Sequence, residues 1–264
     1  MMIQIFGRSD TGRRHATNDD QVFPDGPWPT PYALQAEVVA QRGYLAAVAD
    51  GVSTAALGAA ASRCALEALV GCFYDPETIP TEAGLEDAFL EANQAAWELT
   101  ANGDTGTLAA TTLVAALIRD DVVQIMHVGD SRAYLVTPDQ VVCLTTDHSI
   151  VQEMLERGEI TALEADEHPD SGILTRALGL SGHLRPETVA PVTLRAGDGL
   201  LLCSDGLSTL VSAEEMGQIV RSAAPMRAAA QLIDLANRRG GYDNISVVIA
   251  KSAKPTAWWQ RLLR

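Results

Sequence analysis

The sequence has few cysteines and lacks long apolar runs. Four cysteines occur in 264 residues, and none forms a CxxC pair. This spacing indicates neither a disulfide framework nor a cysteine-based zinc site. We expect the thiols to be reduced residues of the core and the protein to be cytoplasmic. Because no run of 18 apolar residues is present, we predict no transmembrane segment.

Basic residues are also scarce. The chain has 19 Lys and Arg against 34 Asp and Glu, which gives a net charge of -15. Proteins that bind nucleic acid cluster Lys and Arg to neutralise phosphates, so nucleic acid is excluded as a partner. An acidic chain remains well suited to divalent cations.

No linker divides the chain, because glycine and proline are scattered along it. We therefore predict one domain over residues 1–250, followed by a basic and aromatic tail over residues 251–264. On a helix, Trp258 and Leu262 would share a face with Trp259 and Leu263. The tail is expected to fold back on its own domain, or alternatively to contact a membrane surface or a partner.

Four apolar segments of strand length adjoin an aspartate. Asp50, Asp130 and Asp205 each follow such a segment, and Asp243 just precedes one. Short apolar runs bounded by turn signals predict buried strands, and a buried carboxylate must be paired, protonated or bound to metal. No Lys or Arg is comparably placed, so the four residues predict one metal site. The alternative is a set of independent Asp-Gly turns.

Oxygen ligands without an HxxxH pair favour Mn²⁺ or Mg²⁺ over zinc. Two such ions about 3.5 to 4 Å apart can share a carboxylate and a hydroxide that attacks phosphorus in line. Asp50 is the predicted shared ligand. Gly51 has no side chain and can therefore bring its backbone carbonyl close to the ions.

The coarse pattern predicts an α+β fold. Residues 55–74 and 81–99 have helical apolar spacing, with Ser53 or Thr54 as the N-cap of the first helix. Later strands follow one another through links too short for helical crossovers, which requires antiparallel pairing. We predict two antiparallel β-sheets sandwiched between pairs of α-helices, with residues 158–171 as a small mobile flap. Further helices are predicted at 149–157, 213–222 and 226–239, and strands at 2–6, 43–49, 110–118, 122–128, 133–137, 141–144, 188–194, 200–204 and 245–250.

The motifs together resemble the metal-dependent protein phosphatases of the protein phosphatase 2C type, particularly the compact bacterial form. The resemblance runs from about residue 5 to 250 in the motifs SDTGRRHATNDD, AVADG, GTLAATTLVAALI, HVGDSRAYLV, LTTDHSIVQEMLERGEIT, HPDSGILTRALG, GDGLLLCSDGLSTLVS and GGYDNISVVIA. It implies a serine/threonine protein phosphatase in which a hydroxide bridging two Mn²⁺ or Mg²⁺ ions hydrolyses phosphoserine and phosphothreonine. The implied partners are phosphorylated proteins, the substrates of a Ser/Thr kinase.

The resemblance also implies roles for individual residues. Asp50 matches the bridging metal ligand, Gly51 the carbonyl ligand, and Asp205 and Asp243 the ligands of the second ion. These three aspartates would act in catalysis through the hydroxide that their ions share.

Three further aspartates match residues that bind a looser ion or reach the ions through waters. Asp130, together with the residue at Asp205, corresponds to the site of a third, looser ion; a hydrogen-bonded turn is the alternative for Asp130. Asp19 and Asp20 match a Glu-Asp pair that reaches the ions through waters. Because Asp19 is one methylene shorter than Glu, its contact is expected to be lost or relayed by another water. Asn244 is expected to orient the ligand beside it.

Two departures from the family pattern concern the substrate. His15 stands where most relatives have a phosphate-binding arginine, and a neutral imidazole is a poor anion clamp. In an extended segment Arg13 would lie on the same side as His15. Our hypothesis is that Arg13 or a protonated His15 binds the substrate phosphate. The alternative is that His15 is a surface residue and the metals alone hold the phosphate.

The second departure is Val52-Ser53-Thr54, where relatives commonly have a glycine pair and some have a histidine general acid at the place of Val52. Valine cannot donate a proton, so a metal-bound water or another side chain must protonate the leaving group. His148 is the candidate by residue type, although a structural role is favoured for it. His127 is expected to be half-buried in a strand.

Two other functions stay open at this point. One is a non-catalytic regulator of the same fold that binds phosphoproteins, which the substitutions at His15 and after Gly51 would suit. The other is a hydrolase of small phosphate esters, which would share the chemistry and differ in the groove and the flap.

Overall fold

The computed structural model describes residues 2–27, 36–52, 57–75, 77, 84–102, 108–166 and 168–253. Its helices are α1 Ala36–Arg42, α2 Gly58–Phe73, α3 Gly84–Asn102, α4 Ile150–Glu156, α5 Ala162–Asp166, α6 Asp205–Ser208, α7 Ala213–Ser222 and α8 Pro225–Arg238. Its strands are β1 Met2–Asp10, β2 Asp20–Phe23, β3 Gly26–Pro27, β4 Tyr44–Asp50, β5 Leu113–Arg119, β6 Val122–Val128, β7 Arg132–Val136, β8 Val141–Cys143, β9 Glu187–Thr193, β10 Gly199–Cys203 and β11 Ile245–Ala253.

The strands form two antiparallel sheets. The first has the order β3-β1-β11-β10-β7-β8 and the second β2-β4-β5-β6-β9. The neighbouring strands pair antiparallel throughout. The prediction of two antiparallel sheets in an α+β fold is confirmed. The physical reason is that links of a few residues permit hairpins and not crossovers.

A pair of helices covers the outer face of each sheet. Helices α2 and α3 pack on the second sheet around Leu69, Phe89 and Leu113. Helices α7 and α8 pack on the first sheet around Met216 and Leu232. A third apolar core lies between the two sheets. The result is the predicted helix–sheet–sheet–helix sandwich.

Strand β4 shows why the sandwich gives long apolar segments. Leu45, Ala47 and Ala49 belong to the core under α2 and α3, whereas Ala46 and Val48 belong to the core between the sheets. Side chains alternate along a strand, so a strand covered on both faces needs apolar residues at every position. This explains an apolar run without alternation in an antiparallel sheet.

Several element ends differ from the predictions. Helix α2 begins at Gly58, and its N-cap position is Leu57, which makes no side-chain cap bond. The predicted caps Ser53 and Thr54 lie outside the described residues. Strand β11 continues to Ala253, beyond its predicted end at residue 250. The remainder of the predicted tail, 254–264, also lies outside them.

Five short elements were not predicted from the sequence, namely α1, β2, β3, α5 and α6. The strands β2 and β3 have four and two residues, too few for a period to be recognised. In the flap segment 158–171, the described residues form α5 and turns, with no strand, as expected.

The cysteine prediction is partly wrong. The four thiols are free, but only Cys203 is buried. Cys64 and Cys72 are half-buried on α2, and Cys143 is exposed because it ends β8 at the edge of its sheet. In the part of the chain that the structure describes, no helix has the length and apolar content needed to cross a membrane.

Candidate metal centre

Antiparallel pairing brings several strand ends to one edge of the sandwich. Asp20, the first residue of β2, lies opposite Asp50, the last residue of β4. The N–H of Thr112, just before β5, donates to the carbonyl oxygen of Asp50 at 2.8 Å. The end of β6 and the start of β5 are paired, as are the end of β10 and the start of β11. The same edge therefore carries the aspartates that adjoin these ends, Asp130, Asp205 and Asp243.

The crowding of these carboxylates changes their proton affinities. Burial, followed by the negative charges of four neighbouring aspartates, raises the pKa of Asp50 well above its ordinary value. The four are Asp20, Asp205, Asp130 and Asp243. This raised pKa means that the ionised form of the Asp50 carboxyl is disfavoured when no cation is present.

Asp20, Asp130 and Asp205 behave in the same way. Burial raises the pKa of Asp20 to about 7 despite opposing hydrogen bonds from Ser246 and Ser204. Burial is also the largest cause of the raised pKa of Asp130 and of Asp205. For Asp130, the next largest cause of the raised pKa is the negative charge of Asp205. For Asp205, it is the negative charge of Asp243.

The donor set fits a hard divalent cation. It consists of carboxylate oxygens, with no thiolate or imidazole among the residues predicted as metal ligands. Arg132 borders the cluster but donates two hydrogen bonds, of 2.9 and 2.6 Å, to Asp147. The guanidinium is thus already neutralised. A divalent ion such as Mn²⁺ or Mg²⁺ would relieve the repulsion between the aspartates.

Gly51 lies where the backbone is too close for a side chain. Its N–H donates to the carbonyl oxygen of Asp19 at 3.2 Å. A Cβ at this position would lie 2.6 Å from that oxygen and 2.5 Å from the carbonyl oxygen of Gly58. The structure thus requires glycine here for close backbone contact. A role of the Gly51 carbonyl as a metal ligand stays a prediction.

Asn244 joins the loop before β2 to the start of β11. Its side-chain amide donates to the carbonyl oxygens of Thr11 and Thr17 at 2.9 and 3.0 Å, and its Oδ1 accepts from the N–H of Asp19 at 2.7 Å. Its own N–H donates to Oδ1 of Asp243 at 2.7 Å. The residue therefore fixes Asp19 and Asp243 relative to each other, which agrees with its expected orienting role.

Buried hydroxyl groups support the aspartates and were not predicted. Thr112 Oγ1 accepts from the N–H of Asp50 at 3.1 Å and lies 2.8 Å from Ser131 Oγ. Ser204 Oγ donates to Oδ2 of Asp20 at 2.9 Å. The signal in the sequence is a hydroxyl residue at the end of an apolar strand, because a buried hydroxyl needs a hydrogen-bond partner.

Of the two candidate phosphate-binding residues, Arg13 lies in a turn and His15 directly follows it. Residues 12–14 are not extended, so the alternation expected for Arg13 and His15 does not apply. The Nε of Arg13 donates to the carbonyl oxygen of Asn237 at 3.0 Å, at the end of α8. His15 Nε2 lies 3.4 Å from Oδ1 of Asp243. Of the two side chains, His15 is therefore the one in contact with a predicted metal ligand.

Most of the other polar side chains in this part of the fold pair with carboxylates. Arg132 pairs with Asp147, and Arg176 lies 3.9 Å from Oε2 of Glu187. His148 is buried and contacts Glu187 at 3.1 Å. His127 is fully buried, so the expectation of a half-buried residue is wrong. Val52 is half-buried and donates its N–H to a backbone carbonyl.

A cleft of about 690 Å³ adjoins the aspartate cluster. Its lining includes Asp130 and Asp205 from the cluster. Apolar side chains from α4 and from the segment after α6 also line it, namely Val151, Leu155, Leu210 and Val211. Glu215 and Arg239, joined by an ion pair of 2.6 Å, are further lining residues. The cleft thus combines the carboxylates with an apolar wall.

The fold and the carboxylate edge define a class, an α+β sandwich protein with a candidate site for divalent metal. Within this class the chain belongs to the protein phosphatase 2C family, whose model matches residues 33–237. The resemblance found in the sequence is thereby confirmed.

Three relatives illustrate the similarity. The serine/threonine phosphatase stp of Listeria innocua is 38% identical over 214 residues, which are 77% of this chain and 82% of that protein. The serine/threonine protein phosphatase PstP of Mycobacterium tuberculosis is 34% identical over 95% of this chain, which spans 45% of PstP. A crystal structure of the catalytic domain of PstP in complex with two manganese ions has a TM-score of 0.78 at 32% identity, covering 96% of this chain and 100% of that chain.

The raised pKa of Asp20 predicts how stability depends on pH without metal. Its pKa of about 7 in the folded protein exceeds the ordinary value of 3.8, so the stabilisation is complete below pH ~4 and lost as the pH rises through ~7. We expect the melting temperature of chelator-treated protein to fall between pH 5 and 8, by on the order of 5–10 °C. Differential scanning calorimetry at the two pH values measures this.

Asp20→Asn provides the control, because an amide does not titrate and the fall should be smaller. Adding Mn²⁺ at pH 8 should restore the melting temperature, since ions that bind only the folded state stabilise it. A metal-free protein whose melting temperature is constant or rises over this range would contradict the prediction.

Proposed function

We propose that this chain is a metal-dependent phosphatase of phosphoserine and phosphothreonine in proteins, built on one catalytic domain. The observation that carries the proposal is the cluster of buried and half-buried aspartates at one edge of the sandwich, whose negative charges help to raise the pKa of Asp50. Such a cluster is costly to a fold that does not bind cations. Membership in the protein phosphatase 2C family supports phosphorus chemistry at this edge.

In this proposal Asp50 would be the ligand shared by two ions, Gly51 would add its carbonyl, and Asp205 and Asp243 would complete the second ion's site. Two Mn²⁺ or Mg²⁺ ions held there would supply a hydroxide near neutral pH for attack on phosphorus. Asp130, with Asp205, would hold a third ion. Asp20 and Asp19 would orient waters at the site. No side-chain nucleophile is needed.

The substrate phosphate would be held by His15 in addition to the ions. His15 lies beside Asp243, and the phosphate dianion would favour its protonated form. Arg13 is tied through Nε to α8, but its terminal nitrogens remain candidates for a weaker contact. A histidine contact would be weaker than the bidentate grip of an arginine.

Protonation of the leaving group would fall to a water at the site. Val52 cannot donate a proton. His148 uses one ring nitrogen for the N–H of Gly129 and the other for Glu187. Its ring is thus already engaged on both sides, which argues against a direct role in proton transfer.

The cleft beside Asp130 and Asp205 favours a protein substrate over a small phosphate ester. A small ester needs only the ions, whereas an apolar wall next to them can bury a side chain that flanks the phosphorylated residue. The aspartates also argue against a non-catalytic regulator, because binding alone does not require them. Phosphoproteins made by a Ser/Thr kinase are the proposed partners, and the free thiols support a cytoplasmic location.

Metal removal tests the function most directly. We expect Mn²⁺-dependent hydrolysis of both a phosphothreonine peptide and an aryl phosphate, abolished by chelator. Asp50→Asn should lower kcat/KM by at least about 10²-fold, because the ions lose their shared ligand. The same variant should lose most of the Mn²⁺-induced rise in melting temperature. Wild-type protein without metal-dependent turnover on either substrate would refute the proposal.

The phosphate contact is tested by steady-state kinetics on the phosphothreonine peptide. We expect His15→Ala to raise KM by about three- to tenfold, the value of one ordinary hydrogen bond, and His15→Arg to lower it. Arg13→Ala is the matched comparison and should have the smaller effect, because its guanidinium is held by α8. Unchanged KM values in all three variants would exclude both residues from phosphate binding.

The cleft is tested with two leucines of the same region. Leu155 lines the cleft, whereas Leu163 on α5 is 75% exposed and is not among its lining residues. We expect Leu155→Glu to lower kcat/KM for the phosphopeptide about tenfold through the lost apolar contact, and to leave aryl phosphate hydrolysis unchanged. Leu163→Glu should change neither rate. Equal losses on both substrates would mean that Leu155 supports the fold or the ions instead.

A further inference from the structure

Asp130 depends on an unusual backbone turn at the residue before it. Gly129 has φ of +101°, a conformation that L side chains rarely adopt. A Cβ at this position would lie 2.6 Å from Cγ2 of Thr112. The turn therefore requires glycine, which contributes no side chain of its own to hold it in place. Its conformation has to be fixed by neighbouring residues.

His148 holds this turn from both sides. The N–H of Gly129 donates to Nδ1 of His148 at 3.1 Å, and the backbone N–H of His148 donates to the carbonyl oxygen of Gly129 at 3.0 Å. Because Nδ1 accepts, the ring proton lies on Nε2. Nε2 then donates to Oε2 of Glu187 at 3.1 Å. The carboxylate, which also faces Arg176, thus selects the tautomer that binds Gly129.

The ring of His148 is also fixed by packing. It stacks on His127 with ring centroids 4.7 Å apart and planes inclined by 15°. His127 is fully buried, and among the described residues neither of its ring nitrogens has a partner in hydrogen-bond geometry. Burial, followed by the effect of His148, lowers the pKa of His127 to about 4. The neutral ring of His127 is therefore a rigid, uncharged support for His148.

These three residues also meet the distance condition for a metal site, since ligand atoms of His127, His148 and Glu187 lie within 4.8 Å of one another. The ring geometry argues against an ion there. An imidazole binds metal in its ring plane, and two nearly parallel stacked planes do not meet within bonding distance. The proton on Nε2 of His148 would also have to leave. The cluster is better suited to orientation than to ligation.

We propose that His148 is a positioning residue for Asp130, acting through Gly129, with Glu187 and His127 fixing its ring. This inference rests on the proposed function, in which Asp130 holds the third ion. The hydrogen bond from Gly129 to Nδ1 sets the direction in which the Asp130 carboxylate points. Loss of that acceptor should weaken the third ion and leave the two ions at Asp50 largely unaffected.

Two isosteric substitutions separate positioning from simple packing. His148→Asn places an amide oxygen near Nδ1 and keeps the acceptor for Gly129, whereas His148→Gln places its amide near Nε2 and loses that acceptor. In calorimetric titrations with Mn²⁺ alone, we expect His148→Gln to weaken the loosest ion about 10- to 100-fold. His148→Asn should remain within about threefold of wild type.

A second readout needs no metal. In metal-free protein, the amide of Gly129 should exchange slowly with solvent in wild type and His148→Asn, and at least about tenfold faster in His148→Gln. Glu187→Ala covers the case in which His148→Gln does not fold, because Glu187 is 42% exposed on its side chain. It should weaken the same ion, whereas Glu214→Ala on α7 should not.

The outcomes distinguish this inference from the proposed function. Equal Mn²⁺ affinity and equal Gly129 exchange in the Asn and Gln variants would overturn the role of His148, even if the wild type is an active phosphatase. Wild-type protein that binds two ions tightly and no third would also overturn it. Wild-type protein that binds no Mn²⁺ at all would refute the proposed function itself.

Discussion

The repulsion between buried and half-buried carboxylates at one edge of the sandwich is the constraint on which the other features of the site depend. Five aspartates from separate parts of the chain meet there, and their proximity raises the pKa of Asp50 well above its ordinary value. Apolar strands can hold charged groups this close only because the two sheets and their helices supply a large core elsewhere. The free energy gained by burying the apolar core thus offsets the electrostatic repulsion between the carboxylates at this edge.

The precision of this edge comes from uncharged groups. Thr112 and Ser204 bind Asp50 and Asp20, Asn244 links two loops, and His148 holds the turn before Asp130. Lysine or arginine in these places would neutralise the carboxylates permanently and compete with a cation. Neutral hydrogen-bonding groups fix the geometry and leave the negative charge available. This division of roles explains why the arginine beside the cluster, Arg132, is paired with Asp147.

Much of the fold follows from the sequence, because its signals are local. The apolar segments before Asp50 and Asp205 predict buried strands, and short links between strands predict antiparallel pairing. The short strand at Asp20 and the turn at residues 12–14 were not predictable, since their conformation is set by pairing with distant segments. The same holds for His148: its ring is placed by Gly129 and Glu187, which the sequence separates. The residue types in the sequence indicated the candidate metal centre, but the orientation of its side chains depends on tertiary contacts.

Strand β1 pairs along its whole length with β11, from Met2 opposite Ala253 to Asp10 opposite Ile245. During synthesis, most of β1 therefore lacks its partner strand until nearly all the described chain has left the ribosome, since β3 pairs with only two of its residues. Such long-range pairing slows folding, because a large loop must close before the contact forms. This pairing also delays the approach of Asp243 to Asp20 and Asp50. The repulsion between these carboxylates therefore arises only when the last strand docks. The edge that carries the five aspartates is thus completed late in the folding of the chain.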